Sequence, residues 1–279
     1  MNLTSINGRL LDGINIGLTP RDRGFLLGDG VFETLLCCNH VALWRNEHVE
    51  RMRHSAEACG VVFPVGSIAE SVDELLRHSS AGPHVMRISL SRGPGVRGLA
   101  ADSKETTLVI TCDPIDTLLV GKPLQLSMGG ACRNGNAFSD RHKTLSYMNN
   151  VVAARTAQVA GCEDALLLST DGQVACTTIA NVFMLKDGHL VTPRLEDGVL
   201  NGIMRQQIIK NHGTEVREIT VSELMQADAV FISNSLRLIR PVVSLDGRAL
   251  KQQPAAKFLN PLLDYVQHSC GMQLMKHHA

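Results

Sequence analysis

Along residues 84–91 apolar and polar side chains alternate, with Met86, Ile88 and Leu90 on one side and Arg87, Ser89 and Ser91 on the other. A period of two marks a strand with one buried face. The β-prone run Thr106–Thr111 is its predicted partner. Upstream, Phe32–Cys38 and Val41–Trp44 are β-prone runs separated by Asn39-His40, which predicts a tight hairpin. The period then changes. Val49, Met52, Ala56 and Cys59 recur at three- and four-residue spacing and predict a helix. Ser67, with Glu70 three residues on, reads as the capping box of a second helix that turns Val72, Leu75 and Leu76 inward. Between the two later strands lies Arg92-Gly93-Pro94-Gly95-Val96-Arg97-Gly98, a glycine-rich loop with two arginines.

Residues 113–121 read as a connector and place a boundary between an N-terminal α/β domain, 1–116, and a C-terminal domain, 117–279. Beyond it, Lys143 is predicted to open a helix with Leu145, Met148, Val152 and Val159 as its apolar face. Ala165–Ser169 and Val174–Thr177 should form a hairpin on Asp171-Gly172, and Val182–Leu185 with Leu190–Thr192 another on Lys186-Asp187-Gly188. Gly198–Arg205 leads from a loop into a helix. Short strands are predicted at Val216–Ile219 and Ala229–Ser233, with a last hairpin on Asp246-Gly247. The fold class is α/β of the α+β type, because the second part is strand-rich without regular alternation.

Composition narrows the function. Across 279 residues, 27 basic side chains balance 27 acidic ones, so nothing points to nucleic acid or a membrane surface. No apolar run reaches spanning length, and the N-terminus lacks a basic segment followed by an apolar one. The eight cysteines are scattered and read as reduced core residues. The expectation is a cytoplasmic globular protein.

Several segments carry candidate chemistry. Lys143 has Arg141 and His142 beside it, and neighbouring positive charge and burial both disfavour an ammonium, leaving an amine able to form a Schiff base. The ordinary alternative is a solvated surface lysine. His48 and Arg51 lie side by side on one helix, where the arginine's planar fork suits a phosphate or simply meets solvent. Glycines ahead of the helix at Gly198–Arg205 suit an anion on converging backbone amides, or a plain turn. Phe231–Ser235 ends a strand in small polar residues, with the same two readings. Arg92 and Arg97 could hold a carboxylate, or each could be solvated separately.

Taken in order, these segments resemble the class IV aminotransferase family, the fold type IV pyridoxal-phosphate enzymes. The matching pieces are Asp22–Thr34, His48-x-x-Arg51, Arg92-x-x-x-x-Arg97-Gly98, Lys143-Thr144-Leu145, Asn181-Val182-Phe183 and Gly198–Arg205. The resemblance implies pyridoxal 5'-phosphate as cofactor and Lys143 as its Schiff-base lysine. It implies Arg51, the backbone of Ile203 and Met204, and the Asn234/Ser235 turn around the phosphate. It also implies a smaller N-terminal α/β domain and a larger C-terminal barrel-like domain with the cofactor between them, in a homodimer. Within the family, Arg92–Leu99 and the stretch from Thr192-Pro193-Arg194-Leu195 to Asn201–Arg205 are similar to the aminodeoxychorismate lyase branch. D-amino-acid aminotransferases carry a histidine where this chain has Leu99. The implied substrate is a small-molecule carboxylate held by Arg97 and Arg92, with Thr34 nearby.

One position departs from the pattern. Five residues before Asn181, where the family carries a glutamate toward the pyridine nitrogen, this chain has Cys176, with Thr177 as the neighbouring hydroxyl. A thiol cannot hold a pyridinium as a carboxylate does. Elimination of pyruvate from 4-amino-4-deoxychorismate creates an aromatic ring and so asks less of the cofactor than transamination. The expected activity is that lyase reaction, giving 4-aminobenzoate for folate synthesis. The alternatives are an aminotransferase for D- or branched-chain amino acids, or a weakly active or non-catalytic relative.

Overall fold

The computed structural model describes residues 2–12, 17–100, 103, 105–115, 119–252 and 256–272, and the expected 116/117 domain boundary lies outside them. The chain divides into two compact units. The first holds the described residues within Met1–Leu118 together with His142–Ser146 and Val266–Met272, and the second holds the rest.

The first unit contains β1 (Leu3–Ile6), β2 (Arg9–Asp12), α1 (Arg23–Leu27), β3 (Gly30–Cys38), β4 (Val41–Ala42), α2 (Arg45–Ala58), α3 (Val65–His78), β5 (Pro83–Ser91) and β6 (Thr107–Pro114). Its strands form an antiparallel sheet in the order β2-β1-β6-β5-β3-β4. The Asn39-His40 hairpin is there, with positive φ at both residues (47° and 67°) as its tight geometry requires. Met86, Ile88 and Leu90 are fully buried and pack with Leu35, Met52, Val72 and Leu75 in one core. The capping box is not there. Helix α3 begins at Val65, two residues before Ser67, with Pro64 as its N-cap and no side-chain cap bond. A proline ahead of the first turn costs the helix no backbone hydrogen bond, since its missing N–H lies outside the helical ladder.

The second unit contains β7 (Leu124–Arg133), α4 (Phe138–Arg141), α5 (Met148–Val159), β8 (Asp164–Ser169), β9 (Val174–Thr177), β10 (Asn181–Lys186), β11 (His189–Thr192), α6 (Ile203–His212), β12 (Glu215–Val216), α7 (Val221–Met225), β13 (Ala229–Asn234), β14 (Leu238–Leu245) and β15 (Arg248–Ala249). Helix α8 (Ala256–Cys270) begins in this unit and ends in the first. The sheet order is β12-β11-β10-β13-β14-β7-β8-β9, and an added β9–β10 pairing closes six of these strands into a barrel. That closure is the single register pair Asn181–Cys176.

Two expectations around Lys143 fail here. The helix starts at Met148, not Lys143, and its buried residues are Asn150, Ala153 and Ala157, while Met148, Val152 and Val159 are exposed. Lys143 itself belongs to the first unit rather than the C-terminal one. The cause is backbone pairing: Phe32 N–H donates to the Lys143 carbonyl at 2.9 Å and Leu145 N–H to the Gly30 carbonyl at 2.9 Å. A segment committed to a strand edge cannot also close helical bonds. Gly30 permits the approach, since a Cβ there would run into the Leu90 carbonyl and sit 2.8 Å from Leu145 Cδ1.

Candidate active site

In the first unit, three consecutive residues of β3 contact or adjoin the candidate side chains. Phe32 and Thr34 point to one face of the sheet and Glu33 to the other, as strand alternation dictates. The Lys143 side-chain nitrogen Nζ lies 4.3 Å from the centre of the Phe32 ring, and the Arg87 guanidinium lies 3.7 Å from it. Thr34 is half-buried and stands in register with Arg87. The expected cationic neighbours differ. His142 turns to the Ser55 hydroxyl (3.2 Å) and Arg141 is exposed, so Arg87 is the cation that packs on the same aromatic ring as Lys143.

Glu33 is buried in the sheet's other face and holds two side chains of α2. Arg51 donates Nε to Oε1 at 2.7 Å and Nη2 to Oε2 at 2.6 Å, a bidentate fork. His48 donates from Nδ1 to Oε2 at 2.6 Å. Burial alone would raise the Glu33 pKa, but the Arg51 charge and the His48 hydrogen bond outweigh it and bring the carboxyl down to about 2. Burial pushes the His48 pKa down, helped by the charges of Arg51 and Lys143 and opposed by Glu33. A neutral imidazole donating from Nδ1 therefore faces an ionised glutamate, and its Nε2 is buried with no hydrogen-bond partner. Glu33 thus fixes the plane of the arginine that was expected to meet a phosphate.

Arg97 and Arg92 part company. Arg97 is exposed in its loop. Arg92, expected as a second carboxylate clamp, is taken up by the protein's own groups: Asp29 Oδ2 at 2.9 Å from Nε, the Gly60 carbonyl at 2.8 Å from Nη1, and the Cys59 carbonyl at 2.7 Å from Nη2. It anchors the loop, because the Asp29 carboxylate and two carbonyls at the end of α2 already surround its guanidinium.

In the second unit, Asn181 links the remaining candidates. It pairs with Cys176 on one side and Ser233 on the other, and its Nδ2 donates to the Leu200 carbonyl at 2.8 Å. Its Oδ1 lies where a Cβ of Gly202 would fall, so any larger residue at that N-cap has to displace the Asn181 amide. Ile203 and Met204 follow as the first residues of α6, where backbone amides have no carbonyl of their own helix to meet. Asn234 and Ser235 stand at the end of β13, and Asn234 Oδ1 accepts from the backbone of Leu236 and Arg237 at 3.1 and 2.9 Å. The Ser233 hydroxyl is buried without a hydrogen-bond partner.

Cys176 is buried, and burial pushes its thiol up to about 11 although the Arg133 charge pulls the other way. It is a neutral thiol at any physiological pH. Thr177 does not stand in for a carboxylate, since its hydroxyl accepts from the Ala180 amide at 3.1 Å and serves the turn into β10.

Sequence reasoning missed Glu33, Arg87 and Asp29 as working residues. Glu33 was findable: a carboxylate inside the apolar run Val31–Leu36 must have a charged partner if that strand is buried. Arg87 carried no such signal, because an outward arginine on an alternating strand reads as a solvated face.

Comparison with known proteins fits this geometry. The family model for class IV aminotransferases matches residues 30–245. The chain is 30% identical over 266 residues to a protein of Methanocaldococcus jannaschii described as a putative branched-chain-amino-acid aminotransferase, covering 92% of each. It is 28% identical over 256 residues to the aminodeoxychorismate lyase of Bacillus subtilis, covering 86% of each. Among solved structures, a putative 4-amino-4-deoxychorismate lyase from Legionella pneumophila superposes with a TM-score of 0.82 at 29% identity, covering 91% of this chain and 96% of that one.

This chain belongs to the class IV aminotransferase family. It is an enzyme of that pyridoxal-phosphate-dependent family, whose members include lyases and aminotransferases. The residues present fit such a cofactor. Within the first unit Lys143 offers an amine beside an aromatic ring and Arg51 an oriented guanidinium, and within the second α6 offers a glycine-capped N-terminus that a Cβ would obstruct. Cys176 stands at the position where a carboxylate was expected.

Proposed function

We propose that this enzyme eliminates pyruvate from 4-amino-4-deoxychorismate to give 4-aminobenzoate for folate synthesis, as a cytoplasmic homodimer. The observation that carries the reading is Cys176, a buried thiol that stays neutral. The cofactor supplies an aldehyde for the substrate amine and a ring that accepts electron density. A neutral thiol stabilises a protonated ring less than a carboxylate does, which handicaps transamination more than a reaction driven by aromatisation. Leu99 in place of a histidine, and the lyase relatives from Bacillus subtilis and Legionella pneumophila, support the same choice.

In this reading Lys143 Nζ takes the proton from the ring carbon that bears the substrate nitrogen. It then returns a proton to the departing enolpyruvate. Arg51, held by Glu33, binds the cofactor phosphate with the amides of Ile203 and Met204 and the Asn234/Ser235 turn. Arg97 holds a substrate carboxylate, and Thr34 lies beside the substrate. Exposed Phe25, Leu26, Met148 and Val152 are apolar surface suited to a second subunit.

The runner-up is an aminotransferase, favoured by the likeness to the putative branched-chain enzyme of Methanocaldococcus jannaschii. Incubation with 4-amino-4-deoxychorismate, and separately with D-alanine or a branched-chain amino acid plus 2-oxoglutarate, decides between them. Aminobenzoate and pyruvate in equal amounts support the lyase. Turnover of the amino acids with no aminobenzoate refutes it.

A further inference from the structure

The segment Asp22–Asp29 precedes β3 and takes no part in the chemistry proposed above. Its contacts converge on one loop. Arg23 is almost wholly buried, at 4% exposure, although it is a cation in a five-residue helix. Its Nε meets Asp29 Oδ2 at 2.8 Å, while Nη1 donates to the Gly98 carbonyl at 2.7 Å and Nη2 to the Leu99 carbonyl at 2.8 Å. The same Asp29 oxygen receives Arg92 Nε at 2.9 Å.

One carboxylate therefore joins both ends of the Arg92–Leu99 loop, through Arg92 at its start and Arg23 at its end. Backbone bonds fix the middle: Arg23 N–H donates to the Gly93 carbonyl at 3.0 Å, and Gly95 N–H to the Arg21 carbonyl at 3.3 Å. The Ser91 hydroxyl donates to Asp22 Oδ1 at 2.8 Å. Gly95 lies so close that a Cβ there would sit 2.8 Å from Arg23 Cδ. Arg97 is the residue between these anchors whose side chain is exposed and charged.

We propose that Arg23 is the positioning residue for Arg97, fixing the loop backbone one residue beyond it so that the Arg97 guanidinium is presented to a substrate carboxylate. This rests on Arg97 being the carboxylate-binding residue, as proposed above. Three nitrogens of one planar group serve three acceptors, which a lysine cannot reproduce. Arg23→Lys keeps the ion pair with Asp29 but loses the fork on the two carbonyls.

Steady-state kinetics of Arg97→Met, Arg23→Met and Arg23→Lys holoenzymes test it. The substrate is 4-amino-4-deoxychorismate, or D-alanine with 2-oxoglutarate should those be the compounds turned over. Arg97→Met should raise KM about tenfold, the loss of one charge-assisted contact. Both Arg23 variants should raise KM by a similar factor, with kcat within about twofold and unchanged cofactor absorbance, because only ground-state and transition-state binding alike are weakened. A raised KM in Arg97→Met with unaltered KM in Arg23→Lys overturns the positioning role while leaving the Arg97 assignment intact. An unaltered KM in Arg97→Met overturns that assignment and the proposal with it. Asp29 stays paired with Arg92 in every variant, and Arg23→Lys decides the matter should Arg23→Met not fold.

Discussion

Replacing Glu33 by glutamine leaves the side chain's size and removes its charge. Glu33 sits at 1% exposure between Arg51 and His48, so the change strips a bidentate carboxylate from a mostly buried guanidinium. Breaking a buried pair from one side costs about 3–5 kcal/mol. The same contacts hold the Glu33 carboxyl at about 2 instead of an ordinary 4.5 in the folded chain, a depression of the same order, about 3 kcal/mol.

The sign is also fixed. A carboxyl whose folded pKa is depressed stabilises the protein above its unfolded pKa, and that contribution fades as pH falls toward the folded value. Denaturant unfolding at pH 7 should find Glu33→Gln less stable by about 3 kcal/mol. The gap to the parent protein should hold constant above about pH 5.5 and shrink below pH 4.5. A positioned arginine adds a second readout: Glu33→Gln should bind pyridoxal 5'-phosphate about 10- to 100-fold more weakly while its affinity for unphosphorylated pyridoxal changes little. A loss under about 1 kcal/mol, or a gap that ignores pH, would falsify the buried-pair account. Equal weakening toward both compounds would show that Glu33 supports the fold but not the phosphate arginine.

Three further outcomes follow from the site. Lys143→Ala should abolish both the visible absorption band of the bound cofactor and turnover, and a retained band removes Lys143 from the chemistry. Cys176→Glu should raise aminotransferase side activity about tenfold, the worth of one pKa unit on the ring, while sparing aminobenzoate formation; no change in either rate undermines the argument from the thiol. Gly202→Ala forces a methyl onto Asn181 Oδ1 and should cost about 1–3 kcal/mol in unfolding experiments, with weaker cofactor binding; normal stability and affinity would show that the α6 cap tolerates displacement.

What the sequence determined by itself was local or periodic. The alternation at 84–91 and the turn residues Asn39-His40, Asp171-Gly172 and Asp187-Gly188 set strands and hairpins, because backbone sterics and side-chain period act within a few residues. The ordered motifs were enough for the family, and Cys176 for the point of departure. Tertiary structure decided the rest. Lys143 looked like the head of a helix because Leu145, Met148 and Val152 have helical spacing. Yet residues 143–145 pair with the start of β3, and long-range backbone hydrogen bonds leave no trace in spacing. Arg92 and Arg97 were indistinguishable as a sequence pair. Asp29, more than sixty residues away, separates them by holding one and leaving the other exposed. Glu33, His48 and Arg51 became one hydrogen-bonded cluster around an ionised carboxylate only when α2 packed on the sheet, since such pairing depends on distance in space rather than along the chain.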